Sequence, residues 1–494
     1  MTSFTGPRAR VRGAFLSALI FVVGTSVGAQ RTADAPRVSA QLTLSDAVAE
    51  ALVHNDRILN EHDTIEQADL AVRLARNGFR PKVVPNIQGS LGQTDVSNQS
   101  YRLDLSQRLK TGTEIRLGAG TSTAQIPASA PGRDDLRFYN ADTTLAVTQP
   151  LLRGFGTGVA GWSVTNAELR RADAARRQIL EQQEVALDVV TAYYRVVAQR
   201  ALIEVARRSV ERARSLRGAA EAKLDAGLVS QLDVIRAQQL VSQTELQLFD
   251  AQGAVEEAND QLAFLLGRDP TVRLDVLAQI PDPPADATDA EDAVATALAR
   301  RLDLQSAVAA RGNADAAVSV VRNQLRPQVD VSFSLTRRQT AESLRTSFGV
   351  DRFLFATFFT VSMPVDRTPQ LVDYQNALID KDRRAREIDT LRRRIADEAR
   401  RAVREQNRVA RNVAATDGAV SIAQKEVEVA QIRYDRGLSN NLDVITAETN
   451  LLAAESRRVV AKADAATAAW TLRAALGLFD PRRDIIGAGS APNP

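Results

Sequence analysis

Residues 223–238 read KLDAGLVSQLDVIRAQ and residues 433–448 read RYDRGLSNNLDVITAE, an offset of 210 with no gap. Gly227 answers Gly437, Leu228 answers Leu438, and Asp233 answers Asp443. The agreement runs on through Ala237/Ala447, Glu245/Glu455 and Leu266-Gly267/Leu476-Gly477. A second set of segments matches at an offset of 246. DAVAEAL at 46–52 answers DAVATAL at 292–298, and Arg80-Pro81 answers Arg326-Pro327. A chain made of two copies of one large unit carries internal pseudo-symmetry, which constrains its architecture more than any single motif. The copies are expected to span residues 30–281 and 282–482, followed by a flexible C-terminal tail over 483–494.

Proline marks out the long helices. None occurs between Pro150 and Pro270, or between Pro369 and Pro481, and proline breaks helix interiors. Val234, Ala237, Val241, Thr244, Leu248, Ala251, Val255, Ala258, Leu262 and Leu265 step by three and four, a heptad stripe. Val444, Ala447, Leu451 and Ala454 restart it in the second copy. The preceding helix bears two stripes, one through Ala186, Val190, Tyr193 and Val197 and one through Val185, Val189 and Val196. Contacts on both flanks suit a curved wall of helices. Gly227 and Gly437 interrupt the helices with residues free to take the left-handed conformation that ends a helix. Three residues on, Ser230 and Asn440 are N-caps, and Asp233 and Asp443 complete the capping-box pattern. Each copy therefore predicts a long antiparallel helical hairpin.

The segments before the helices change period. Tyr101, Leu103 and Leu105 alternate with Arg102, Asp104 and Ser106, and Val329, Val331, Phe333 and Leu335 alternate with polar residues. Thr143, Leu145 and Val147 precede Pro150, and Phe353, Phe355, Thr357, Phe359 and Val361 precede Pro364. Stretches of about eight to ten residues with one apolar and one wet face have the length of membrane strands. Phenylalanines over 348–359, with Tyr101, Phe138 and Tyr139, supply a candidate aromatic girdle. One chain offers four to six such strands, while closed membrane barrels start at about eight. An open edge cannot sit in lipid, so several chains are expected to close one barrel together.

Composition narrows the functional classes. Arg8, Arg10 and Arg12 are the only charged residues before position 30, and the rest balances 60 basic against 60 acidic residues. The net charge gives no case for nucleic-acid binding. With the apolar run Gly13–Val27 and the small residues before Gln30, the first 29 residues read as a secretory signal peptide. Cysteine is absent, which excludes disulfides, thiolate metal sites and cysteine catalysis. His54 and His62 lie eight apart on an expected amphipathic helix with no third metal ligand, as surface histidines do. Gly154-Phe155-Gly156-Thr157-Gly158 lacks the third glycine of a dinucleotide fingerprint and the Lys-Ser/Thr of a P-loop. It reads as a flexible strand-to-helix crossing. No nucleophile, base and orienting acid come together. No enzyme activity, cofactor or metal is expected.

These features together resemble the TolC-like outer membrane efflux proteins. The resemblance rests on the two helix-strand-strand-helix repeats, on Phe79-Arg80-Pro81 and Leu325-Arg326-Pro327 leading into the strands, and on QPLLRGFG at 149–156 leaving them. The tips at 226–234 and 436–444 match as well, so it covers essentially the whole chain after the signal segment. It implies a membrane α+β fold: a homotrimer whose long coiled-coil hairpins form an α-helical barrel joined to a shared transmembrane β-barrel. The implied location is the outer membrane, extending into the periplasm. The implied function is the passive exit duct of a tripartite efflux or type I secretion system. Its partners would be outer-membrane lipid, a periplasmic adaptor (membrane fusion protein) and an inner-membrane pump.

By the same resemblance, Gly227, Leu228, Gly437 and Leu438 are adaptor-contacting tips, and Asp443, Thr446, Tyr434 and Asp233 belong to the channel gate. The resemblance implies that Asp443 projects into the pore as part of a threefold acidic ring. Thr446 stands where the family has a second aspartate, and Tyr434 is the gate tyrosine with Asp233 its partner acid. The family's gate arginine falls at Ser439, with Arg436 nearby. The contrasting reading is a periplasmic coiled-coil scaffold with no pore, which has no need of lipid-facing alternation. The first copy also departs in length: Pro81 to Pro150 is a longer span than Pro327 to Pro364. The excess at 101–121 is either two extra barrel strands joined at Thr111-Gly112 or an elaborated outer loop.

Overall fold

A computed structural model describes residues 41–89, 97–126, 136–277, 289–349 and 352–487. The expected signal peptide lies outside the described residues. The first copy runs α1 (Leu44–His54), α2 (Asp56–Asn77), β1 (Lys82–Gly89), β2 (Ser97–Arg108), β3 (Glu114–Ile126), β4 (Leu136–Pro150), α3 (Thr157–Ala160), α4 (Trp162–Asp225) and α5 (Gln231–Leu265). The second runs α6 (Ala290–Arg300), α7 (Leu302–Gln324), β5 (Gln328–Ala341), α8 (Leu344–Ser347), β6 (Leu354–Ser362), α9 (Thr368–Asp435) and α10 (Asn441–Ala475). A π-helical turn over Arg482–Ile486 follows. No helix among the described residues is long and apolar enough to cross a membrane.

The proline-free stretches are the long helices. The 64 residues of α4 and 68 of α9 reach about 96 and 100 Å at a rise of 1.5 Å per residue. Hairpin turns at Gly227 and Gly437 fold α5 and α10 back along them. Both stripes of α4 are used: Val185, Ala186, Val189, Val190, Tyr193, Val196 and Val197 are all buried.

The pseudo-symmetry is visible in how the helix ends meet. Gly267, after α5, has φ +72 and sits on the His54 carbonyl, so close that a Cβ would lie 2.6 Å from that oxygen. Gly477, after α10, has φ +68 and sits in the same way on Arg300 and Arg301. Those contacts fall at the breaks between α1 and α2 and between α6 and α7. Asn55 makes the first break. It adopts an extended conformation and caps α2 by accepting from the Arg57 N–H, while its amide donates to the Leu265 carbonyl at 2.8 Å. His54 and His62 therefore belong to different helices, which corrects the expectation of one. Both remain exposed.

Among the described residues the core forms three clusters. One joins α1, α4 and α5 with Trp470 and Phe479, one joins α6 and α7 with α9, and one lies near the hairpin tips. The expected tail is ordered at its start: Ile485 is buried, and Asp484 pairs with Arg473 at 3.2 Å and Arg483 at 2.9 Å.

Among the described residues, six strands form one antiparallel sheet in sequence order, β1-β2-β3-β4-β5-β6. The extra length of the first copy is therefore sheet: β2 and β3 join at Thr111-Gly112, at the end where the helices attach. The register puts Val83, Leu105, Leu117, Leu145, Leu335 and Phe355 in one row across all six strands. The adjacent row on the opposite face reads Val84, Asp104, Gly118, Thr144, Thr336 and Leu354, and the next reads Asn86, Arg102, Gly120, Asp142 and Arg338. The sheet thus has a predominantly apolar face and a predominantly polar one.

Candidate functional site at the helical tips

Both tips are built alike. Gly227 and Gly437 each have φ +71. The Gly227 and Leu228 N–H groups donate to the Leu224 and Lys223 carbonyls at 2.8 and 2.9 Å. Gly437 and Leu438 do the same to Tyr434 and Arg433 at 3.1 and 2.8 Å. This paired closure takes up the free carbonyls at a helix end. It leaves Leu228 and Leu438 projecting, 74% and 66% exposed.

The two expected capping boxes differ. The Asp233 carboxylate accepts from the backbone and hydroxyl of Ser230 at 3.2 and 3.0 Å. At the second tip Asn440 alone caps, accepting from Leu442 N–H at 3.1 Å. Asp443 is exposed in the first turn of α10, and Thr446, also exposed, donates to the Leu442 carbonyl at 2.9 Å.

Tyr434 is buried between the hairpins, only 3% exposed. Burial first, then the charges of Asp233 and Asp435, raises its phenol pKa above the ordinary value. Its hydroxyl has no hydrogen-bond partner among the described residues, so Tyr434 and Asp233 are neighbours without a direct bond. The tie between the hairpins is made by residues that the sequence reading missed. The Lys223 ammonium lies 3.6 Å from the Tyr434 ring centroid. It donates to the Tyr434 carbonyl at 2.7 Å and approaches Asp435 at 3.4 Å. Asn441, fully buried, donates to the Asp233 carbonyl at 2.5 Å.

Further along the hairpins, Arg212 on α4 reaches Glu448 on α10 at 2.6 Å and Glu455 at 3.8 Å. Both carboxylates are buried in the joint. One sequence signal pointed here: Lys223 and Arg433 share a basic repeat position, and Glu245 and Glu455 share an acidic one. Only the fold shows that Lys223 and Glu455 cross between hairpins, whereas Glu245 pairs with Arg214 inside its own hairpin at 2.6 Å.

Long helical hairpins carrying a two-faced antiparallel sheet are the fold of solved outer-membrane channels. The sequence profile of the outer membrane efflux protein family matches residues 47–268 and 293–478, one stretch in each copy, and the chain belongs to that family. It is an outer-membrane protein that extends into the periplasm. Two curated relatives are similar to it. Protein CyaE of Bordetella pertussis is 32% identical over 220 residues, 44% of this chain and 45% of that protein. Fusaric acid resistance protein FusA of Burkholderia cepacia is 31% identical over 207 residues, 39% of this chain and 36% of that protein. The chain thus matches less than half the length of either. The solved outer-membrane channel CmeC of Campylobacter jejuni has the same fold, with TM-score 0.68, 15% identity, and coverage of 90% of this chain and 89% of CmeC.

Proposed function

We propose that three copies of this chain form a passive exit duct, driven by an inner-membrane pump through a periplasmic adaptor. The observation that carries the reading is the apolar row from Val83 to Phe355, backed by a predominantly polar opposite face that carries Asp104, Arg102, Thr144, Asp142, Thr336 and Arg338. One face suits lipid and the other a water-filled lumen. A pore-free scaffold has no use for the first. Six strands fall short of the smallest closed barrel, and lipid does not tolerate an open edge, so closure is assigned to a trimer.

In this reading residues 30–281 and 282–482 are the two structural repeats behind a signal peptide at 1–29. The projecting Leu228 and Leu438, with Gly227 and Gly437, form the adaptor-facing tips. Asp443 lines the narrow periplasmic opening as a threefold acidic ring, and Thr446 replaces the second ring. Asp233 and Tyr434 fix the gate through Asn441 and Lys223. A wet, wide wall selects little, so the pump sets the cargo. The resistance named for FusA favours small toxic molecules over polypeptides. Membrane fractionation with chemical cross-linking tests the reading. A trimer in the outer-membrane fraction is expected, and a soluble periplasmic monomer would refute it.

A further inference from the structure

We propose that the β2–β3 hairpin widens the shared barrel from twelve strands to eighteen. This rests on the trimeric reading above and goes beyond it. The internal repeat identifies the hairpin as an insertion. Arg80-Pro81 leads into β1 as Arg326-Pro327 leads into β5, and Pro150 ends β4 just as β6 stops short of Pro364. Strand β1 is thus the counterpart of β5, and β4 of β6. Two unembellished copies would give four strands per chain, and β2 and β3 make six.

The inserted strands are part of the wall. At the helical end, the Thr111 carbonyl accepts from Gly156 N–H at 3.1 Å. Thr113 donates to the Gln149 side chain at 2.5 Å. Gly112, with φ +96, packs so tightly that a Cβ would lie 2.5 Å from the Gly154 carbonyl oxygen. The hairpin turn is therefore seated on the crossing from sheet to helices. Within the sheet, Arg102 on β2 lies across β3 to meet Asp142 on β4 at 3.4 Å, while also pairing with Asp104 at 3.0 Å. It passes over Gly118 and Gly120, where added Cβ atoms would stand 2.9 and 3.2 Å from Arg102 side-chain atoms. The apolar row continues through Leu105 and Leu117 without a break.

The remaining open edges are β1 and β6, of eight and nine residues. With an even number of strands per chain, rotational symmetry brings β6 antiparallel to the next copy's β1. Pro85 removes a single N–H from that eight-residue edge. At a strand spacing of about 4.8 Å and a tilt of about 40°, eighteen strands close a backbone circle about 36 Å across, against about 24 Å for twelve.

Electron cryo-microscopy of the purified trimer in lipid nanodiscs counts the strands. Eighteen is the expected result. A trimer with twelve strands and residues 97–126 outside the wall would overturn the insertion while leaving the duct intact. Absence of a trimer would overturn both. Cysteine labelling gives an independent measure in a chain that has no cysteine. Ser100→Cys and Ser106→Cys, on the polar face, should react with a membrane-impermeant maleimide at least tenfold faster than Leu103→Cys and Leu117→Cys on the apolar face. Equal reactivity at the four positions would refute a place in the wall.

Discussion

Arg212 is expected to hold the two hairpins together, and removing it exposes how much that joint depends on charge. Its guanidinium serves two carboxylates on α10: Glu448 at 2.6 Å and Glu455 at 3.8 Å, only 6% and 4% exposed. Arg212→Met keeps the aliphatic stem and strands both acids against the α4 surface. Breaking a buried pair by deleting one partner costs about 3–5 kcal/mol. Arg212 itself keeps 28% of its side-chain surface exposed, so the lower end, about 3 kcal/mol, applies. At 1.4 kcal/mol per tenfold, that is on the order of a 100-fold rise in local opening. Hydrogen–deuterium exchange of peptides covering 444–458 in the intact protein reads it directly. Glu448→Gln in the same background should recover part of the loss, because one stranded charge is gone, and the double-mutant cycle should give a coupling of about 1.5 kcal/mol or more. Unchanged exchange in Arg212→Met, or strictly additive effects, would refute a charge-held joint.

Replacing Gly227 and Gly437 by valine should cost about 2 kcal/mol at each turn through the left-handed backbone alone, since nothing lies within 4 Å of an added Cβ at either position. Adaptor cross-linking should fall while heat-resistant trimers persist on gels; full cross-linking in the double variant would count against the tip assignment. Asp443→Asn should lower cation preference in planar-bilayer recordings, and Thr446→Asp should strengthen block by divalent cations; unaltered selectivity in Asp443→Asn would place the gate elsewhere. Tyr193, whose hydroxyl donates to the Leu42 and Leu277 carbonyls at 3.2 Å, has its pKa pushed up from 10.0 to about 12, chiefly by burial. Its folded state holds the proton longer than the unfolded chain, so its contribution is complete below pH 10 and lost as pH rises toward 12. Thermal melts across that window should fall more steeply for the native protein than for Tyr193→Phe, and parallel slopes would refute the assignment.

Much of the architecture was legible in the chain because it depends on local rules. Proline-free heptad runs dictated α4, α5, α9 and α10, and glycine followed by a capping residue dictated where they turn. Period-2 alternation located the strands and their two faces, and the repeat gave the pseudo-symmetry. None of this needs a distant contact. The break at Asn55 was missed because it is held by the Leu265 carbonyl, 210 residues away, and the surrounding periodicity looks continuous. The excess at 101–121 admitted both strands and a loop until the register with β1 and β4 fixed it as sheet. The tip residues divide in the same way. Gly227 and Gly437 follow from turn chemistry written in consecutive residues, and Leu228 and Leu438 came with the family resemblance. Lys223 against Tyr434, Asn441 against Asp233, and Arg212 between Glu448 and Glu455 join helices far apart in sequence. Sequence periodicity determines which face of a helix is buried, whereas the partner across that face is chosen by the packing of one hairpin on the other, and only the tertiary structure decides it.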